Sequence, residues 1–230
     1  MAAYLRGAFI ELMPTKLVPV PNIVVFQYNP ETMTHTWTQP PVAGSGGDPL
    51  AVTGLPGEAF SFTLVVDAID PIADDKPVSG PLSEVSGVAT RLAALEMLVH
   101  PASSTSGGGQ LLGTVTAAIA GMGKKKEDPQ QDVPDNRLPV VLFVWGPGRI
   151  VPVRVTTLTI TERQYDSLLN PTHAEVQIGL QVLTGKDLVG KDLVTKVAQA
   201  ADFYTDSLRE VLALANLANA AESVIGMLPI

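Results

Sequence analysis

Residues 174–183 read Ala174-Glu175-Val176-Gln177-Ile178-Gly179-Leu180-Gln181-Val182-Leu183. Apolar side chains occupy every second position, Ala174, Val176, Ile178, Leu180 and Val182, with Glu175, Gln177, Gly179 and Gln181 between them. Successive side chains of an extended backbone point to opposite faces, so this text folds as a strand with one buried and one wet face. Such a strand needs partners on both sides, and the flanking sequence supplies them.

Immediately upstream, residues 138–145 are almost continuously apolar, and Gly146-Pro147-Gly148 leads into a second extended run at 149–161. Together they predict a hairpin. Val151, Val153 and Val155 share one parity but Leu158 and Ile160 share the other, so a β-bulge is expected near Thr156 and Thr157. In residues 58–68, Phe60, Phe62, Leu64 and Val66 alternate with Ser61, Thr63 and Asp67, a further half-buried strand. Short strands are expected at 8–13, 22–28 and 33–37, divided by Pro14, Pro19, Pro21 and Pro30, and the glycine-bearing run 40–57 reads as an exposed loop.

Two stretches have helical spacing instead. Residues 81–99 place Leu82, Val85, Leu92, Leu95 and Leu98 on one side, with Pro101 beyond as a stop. From Asp187 onward, Val197, Ala201, Tyr204, Leu208 and Val211 form one apolar stripe, and Leu214, Leu217, Ala221, Val224 and Leu228 form a second beside it. One docking face needs one stripe, so Tyr204, Leu208, Val211, Leu214 and Leu217 are candidates for an interface with another subunit. Residues 102–136, with Gly107 to Gly109, Lys124 to Lys126 and an Asp/Gln/Pro-rich end, read as an inserted flexible loop whose middle, 111–122, suits a short helix that orders on a partner. The expected fold class is mainly β with flanking helices, an α+β arrangement. A β domain at 1–185 carries one packed helix and the insertion, and 186–230 is a C-terminal helical extension.

Composition narrows the functions. Hydrophobic residues make up 46% and charged residues 17% of the 230, the balance of a folded chain. The net charge of −8 opposes binding to nucleic acid. With no cysteine there are no disulfides or thiolate metal sites, which fits a reducing cytosol or a reliance on packing and oligomerisation for stability. No signal peptide or membrane span is expected: residues 208–221 are apolar but interrupted by Asn216 and Asn219, so synthesis in the cytoplasm without membrane insertion is the expectation.

Chemistry-bearing motifs are weak. Residues 185–192, Gly185-Lys186-Asp187-Leu188-Val189-Gly190-Lys191-Asp192, follow a strand and open a helix with the glycine and lysine spacing of a phosphate loop. Asp192 stands where a hydroxyl would hold magnesium, so a turn-to-helix hinge is the plainer reading. His35, His100 and His173 lack the spacing of a metal site, and His100 suits a helix C-terminus. Asp67, Asp70, Asp74 and Asp75 around Pro71 read as a solvated turn. No catalytic, cofactor or metal residue is assigned, and the chain is expected not to be an enzyme.

Several spaced segments together resemble the tube-type subunits of contractile injection systems, the extracellular relatives of phage tails. They are Phe26-Gln27-Tyr28-Asn29-Pro30 with Glu31-Thr32, the 138–146 strand with Phe143, Trp145 and Gly146, residues 153–161 followed by Glu162, Gln164-Tyr165-Asp166 and Asn170-Pro171, and the 174–183 strand. The resemblance covers roughly residues 5–185. It implies a β-sandwich or barrel with a flanking helix, six copies joining their sheets around a channel, and stacked rings. Glu175, Gln177 and Gln181 would then face the lumen or solvent. Length and insertions look more like the baseplate component that joins the tube to the spike, whose relatives often carry a peptidoglycan-binding LysM module, for which the tail here is too short. Implied partners are copies of the chain and the tube, spike and baseplate proteins of one particle, which is released from the cell after assembly in the cytoplasm. The alternatives are a phage-type tail tube or tail-terminal protein and, more distantly, a nucleotide-binding enzyme using loop 185–192. Sheath and AAA+ ATPase genes without capsid genes nearby separate the first reading from the phage one.

The face assignment of the opening strand is directly testable. Val176→Asp should prevent folding, whereas Gln177→Ala should change stability by less than about 0.5 kcal/mol. Equal losses at the two positions in denaturant titrations would overturn it.

Overall fold

The computed structural model describes residues 4–12, 22–41, 50–69, 86–100, 138–190 and 193–227. Among these residues there are seven strands: β1 (Ala8–Leu12), β2 (Asn22–Val25), β3 (Met33–Thr38), β4 (Gly57–Asp67), β5 (Val140–Val144), β6 (Ile150–Tyr165) and β7 (Pro171–Val182). Two helices accompany them, α1 (Ala89–Met97) and α2 (Leu193–Met227). The strands form one sheet in the order β2-β1-β5-β6-β7-β4-β3, and every pairing is antiparallel. The chain is therefore mainly β with flanking helices.

The sheet closes on itself through its aromatic face. Phe9 on β1 and Phe62 on β4 are four strand positions apart, about 19 Å in a flat sheet at the usual spacing. Their ring centroids nevertheless lie 6.3 Å apart. Phe26 meets Phe9 edge-on at 5.0 Å, and Phe143 touches the rings of Phe9, Phe60 and Phe62 at 5.5–5.7 Å. The two halves of the sheet thus face each other across a core of interlocked rings, with packing geometry that adds to simple burial. Leu92, Leu95 and Leu98 of α1 and its C-terminal turn, together with Val88, complete that core.

β7 lies at the centre of this arrangement. Ala174, Val176, Ile178, Leu180 and Val182 are buried, Gln177 and Gln181 are exposed, and Glu175 is half-buried. Leu64 faces Val176, Phe62 faces Ile178 and Phe60 faces Leu180 across the β4 ladder. On the β6 side the register shifts between Val155 and Thr157, at the place where the apolar alternation changes parity. The bulge brings two threonine hydroxyls over β7, and Gly179 is the residue that leaves them room. A Cβ there would sit 2.3 Å from Thr157 Oγ1 and 3.1 Å from Thr156 Oγ1.

Some elements differ from the sequence expectation. The strand expected over 22–28 ends at Val25: the Phe26 amide still donates in register to Gly7 O at 2.9 Å, and the next two residues bend away from β1. The helix expected over 81–99 is described from Ala89 to Met97, preceded by Gly87 at φ +57°, whose missing Cβ would collide with Pro171 O. The C-terminal helix begins at Leu193 rather than Asp187. Asp187 Oδ2 instead accepts bonds from the Thr184 amide and hydroxyl, closing a turn. The insertion 102–136 with its 111–122 segment, and Asp70, Asp74 and Asp75, lie outside the described residues.

Gly179→Ala should destabilise the fold by about 1–3 kcal/mol, the usual cost of overpacking. Adding Thr157→Ala removes the nearer hydroxyl and should recover part of the loss in a double-mutant cycle. Additive losses would place the strain elsewhere.

Candidate functional site

The residues of the resembling segments have structural roles in this fold. Phe26, Phe143 and Trp145 join the aromatic core, Trp145 packing 6.0 Å from Phe143 and 6.3 Å from Phe26. Asn29 pins the N-terminal segment: its Oδ1 accepts from the Gly7 amide and its Nδ2 donates to Leu5 O, both at 2.9 Å. Tyr28 is exposed and Pro30 half-buried beside it. Gly146, at φ +69°, makes the turn between β5 and β6, where the Trp145 amide donates to Arg149 O at 2.8 Å.

At the far end of β6, Asp166 organises the connection to β7. Its Oδ1 accepts from the amides of Leu168 and Asn170, and its Oδ2 from Asn170 Nδ2 at 2.9 Å. Those bonds, the Asn170 side chain first, hold the Asp166 carboxyl below its ordinary pKa. The same turn carries Leu169 at φ 64°, a left-handed conformation costly for a leucine. Tyr165, Leu168 and Leu169 are exposed there, and Pro171 opens β7 while its carbonyl receives the Val88 amide.

The outer face of β4, β7 and β6 is polar. Thr63 and Thr159 flank Gln177, and Ala59 and Arg154 flank Gln181. Both Nε and Nη2 of Arg154 donate to Gln181 Oε1, at 3.0 and 2.7 Å. Glu175 pairs with Arg163 at 2.9 Å, and that hydrogen bond lowers the Glu175 pKa. The three residues expected on the wet face therefore lie on one continuous surface.

The densest charged cluster in the described residues is one the sequence reading did not single out. Glu58 shares parity with Phe60 and Phe62, and is a carboxylate only 5% exposed at the end of an apolar face. His35 Nε2 bonds its Oε1 at 2.8 Å, and Arg209 Nη2 of α2 donates to the same oxygen. The Arg209 guanidinium also lies 5.0 Å from the centre of the Trp37 ring, while Arg149 lies 5.0 Å over Phe60. Burial lowers the Arg149 pKa, and the charge of Glu58 opposes that shift. The signal was present in the sequence: an acidic residue on the apolar parity of an amphipathic strand demands a cation from another element.

That cation arrives because the first half of α2 is seated on the β5–β6 hairpin. Thr195, Ala198, Ala201 and Thr205 are buried. Thr205 Oγ1 donates to Ile150 O at 2.7 Å and receives the Ile150 amide at 3.2 Å, and Tyr204 OH donates to Pro147 O at 2.9 Å. Leu208 is half-buried, whereas every residue from Val211 to Leu217 is exposed. Of the candidate interface residues, Tyr204 and Leu208 thus belong to the seated half, and Val211, Leu214 and Leu217 project beyond it.

Loop 185–192 is described as far as Gly190. The Gly185 amide, which a phosphate would need, already donates to the Asp202 carboxylate, whose pKa burial raises despite that bond. Leu188 is buried, and Gln199 Nε2 donates to its carbonyl at 3.0 Å. His100 Nδ1 bonds Glu96 O at the end of α1, and His173 Nδ1 bonds Asp67 Oδ2 at 3.0 Å. No trio of metal-ligating side chains occurs among the described residues, and no helix there is long and apolar enough to cross a membrane. No model of a known protein family matches the chain, and no curated protein matches it.

Arg209→Ala should destabilise the protein by about 2 kcal/mol, less than the 3–5 of a wholly buried pair because Arg209 is partly exposed. Glu58→Gln in that background should return part of the loss, since the carboxylate no longer needs a cation. A double mutant less stable than Arg209→Ala alone in urea titrations would refute the pairing.

Proposed function

We propose that the chain is a structural subunit of a contractile, phage-tail-like injection machine, a ring former where the inner tube meets the baseplate and spike. Its work is assembly, not catalysis, and its partners are further copies and the neighbouring proteins of the particle.

The observation that carries this reading is that the sheet is closed across its core yet, among the described residues, open at both edges. Among the described residues β2 pairs only with β1, and β3 only with β4. Ile23 and Val25 on one edge strand and Trp37 on the other are exposed. An open edge is a template for a strand of another chain, and joining unlike edges head to tail around an axis closes a ring. The polar outer face through Thr63, Gln177 and Gln181 suits the aqueous wall of a channel, because it offers hydrogen bonds and its charged residues Arg154, Arg163 and Glu175 are held by neighbouring side chains. The resembling segments also support it, because Phe26, Phe143 and Trp145 form a single cluster.

Electron microscopy of the purified full-length protein, alone and with the products of its neighbouring genes, tests the proposal. Rings with a central opening, or incorporation at the tube end of a particle, are the expected result. A monomer at all concentrations that joins no particle would overturn it.

A further inference from the structure

Helix α2 changes character along its length. Up to Arg209 it is seated on the β domain, but beyond it Val211, Leu212, Leu214 and Leu217 are 59–66% exposed. After Arg209 the sequence contains no lysine or arginine, and Glu210 and Glu222 are its only charged residues. A helix apolar on most sides and scarcely charged is stable in water only if something covers it.

We propose that residues 211–227 of neighbouring copies cover one another as a parallel helical bundle. Charge argues against a lipid surface as the occupant, because helices that lie on membranes carry lysine and arginine along their polar side. A strongly charged protein partner would find nothing to pair with. Another copy of the same helix meets no repulsion across the uncharged stretch 211–221, although the whole chain carries −8. The spacing is self-complementary as well: Leu214, Leu217, Ala221 and Val224 alternate three and four apart, the period of a helix seam, and the intervening alanines permit close approach.

Number and polarity follow from geometry. Seventeen residues rise about 25 Å, and one face about 10 Å wide along that length is far short of the roughly 800 Å² each partner contributes to a stable pair. The stripe Leu208, Val211, Ala215 and Ala218 lies beside the first, giving each helix a face for each of two neighbours. Copies related by rotation about one axis present their helices parallel where the helices run along that axis, and the proposed bundle has that arrangement. The proposal rests on the ring reading only in expecting more than two helices.

The test uses the full-length chain. Leu214→Glu/Leu217→Glu should reduce the mass by light scattering from that of an oligomer to that of one chain, or of the ring's smaller pieces. The thermal melt of the β domain should stay unchanged. The chain lacks cysteine, so Leu217→Cys introduces a lone thiol, and mild oxidation should link copies pairwise through it. An unaltered mass for the double variant, or an intact oligomer that fails to cross-link, overturns the bundle. So does a wild-type chain that is always monomeric, whether its helix is covered by residues 111–122 or by vesicles that it binds. Rings that persist in the double variant sink the bundle and leave the ring standing, whereas cross-linking and mass loss without rings in the wild type do the reverse.

Discussion

Everything in this fold depends on the stack of phenylalanine rings that draws β1 and β4 together. Backbone hydrogen bonds fix which strands are neighbours, but they do not make a seven-stranded sheet bend until its halves touch. Phe9, Phe26, Phe62 and Phe143 do so because burying aromatic surface outweighs the cost of twisting the ladders. The bulge in β6 and the bare Cα of Gly179 are the local adjustments that let the central strands take that curvature.

The same closure dictates where charge is admitted. Glu11 and Glu58 both follow the parity of core phenylalanines, so each is carried to the margin of the apolar interior. Glu11 meets that constraint locally, accepting from Asn22 Nδ2 at 3.0 Å, while burial pushes its pKa up. Glu58 requires a cation from over 150 residues away and thereby fixes where α2 must sit. Gln27 performs a comparable service at another margin, its Oε1 receiving the Asp67 amide at 3.0 Å and the guanidinium of Arg91.

Period alone was enough to anticipate the strands, because alternation at residues 60–66 and 174–182 survives folding as alternation in burial. The parity change near Thr156 announced the bulge for the same reason. Strand order was not readable, since β1 pairs with β5 across more than a hundred residues and nothing local encodes that partner. Boundaries slipped where a local feature interrupted the regular pattern, the side-chain bonds of Asp187 before the helix and the bend at residues 27–28 after Val25. The charged seam went unseen because Glu58, Arg209 and Trp37 belong to three separate elements and only the closed sheet brings them together. Arg209 is nonetheless the last cation of the chain, and its position divides the seated from the projecting part of the helix.

The placement of the two tryptophans gives this molecule a pair of optical reporters. The Trp145 indole is wedged against Phe26 and Phe143, so its emission records the polarity of the closed interior. The Trp37 indole lies beneath the Arg209 guanidinium at the edge of the sheet, where a fixed positive charge perturbs its excited state. Lifting the helix removes that charge from Trp37, whereas unfolding also takes Trp145 away from Phe26 and Phe143. The chain therefore distinguishes by its own colour whether α2 is seated or whether the domain as a whole has opened.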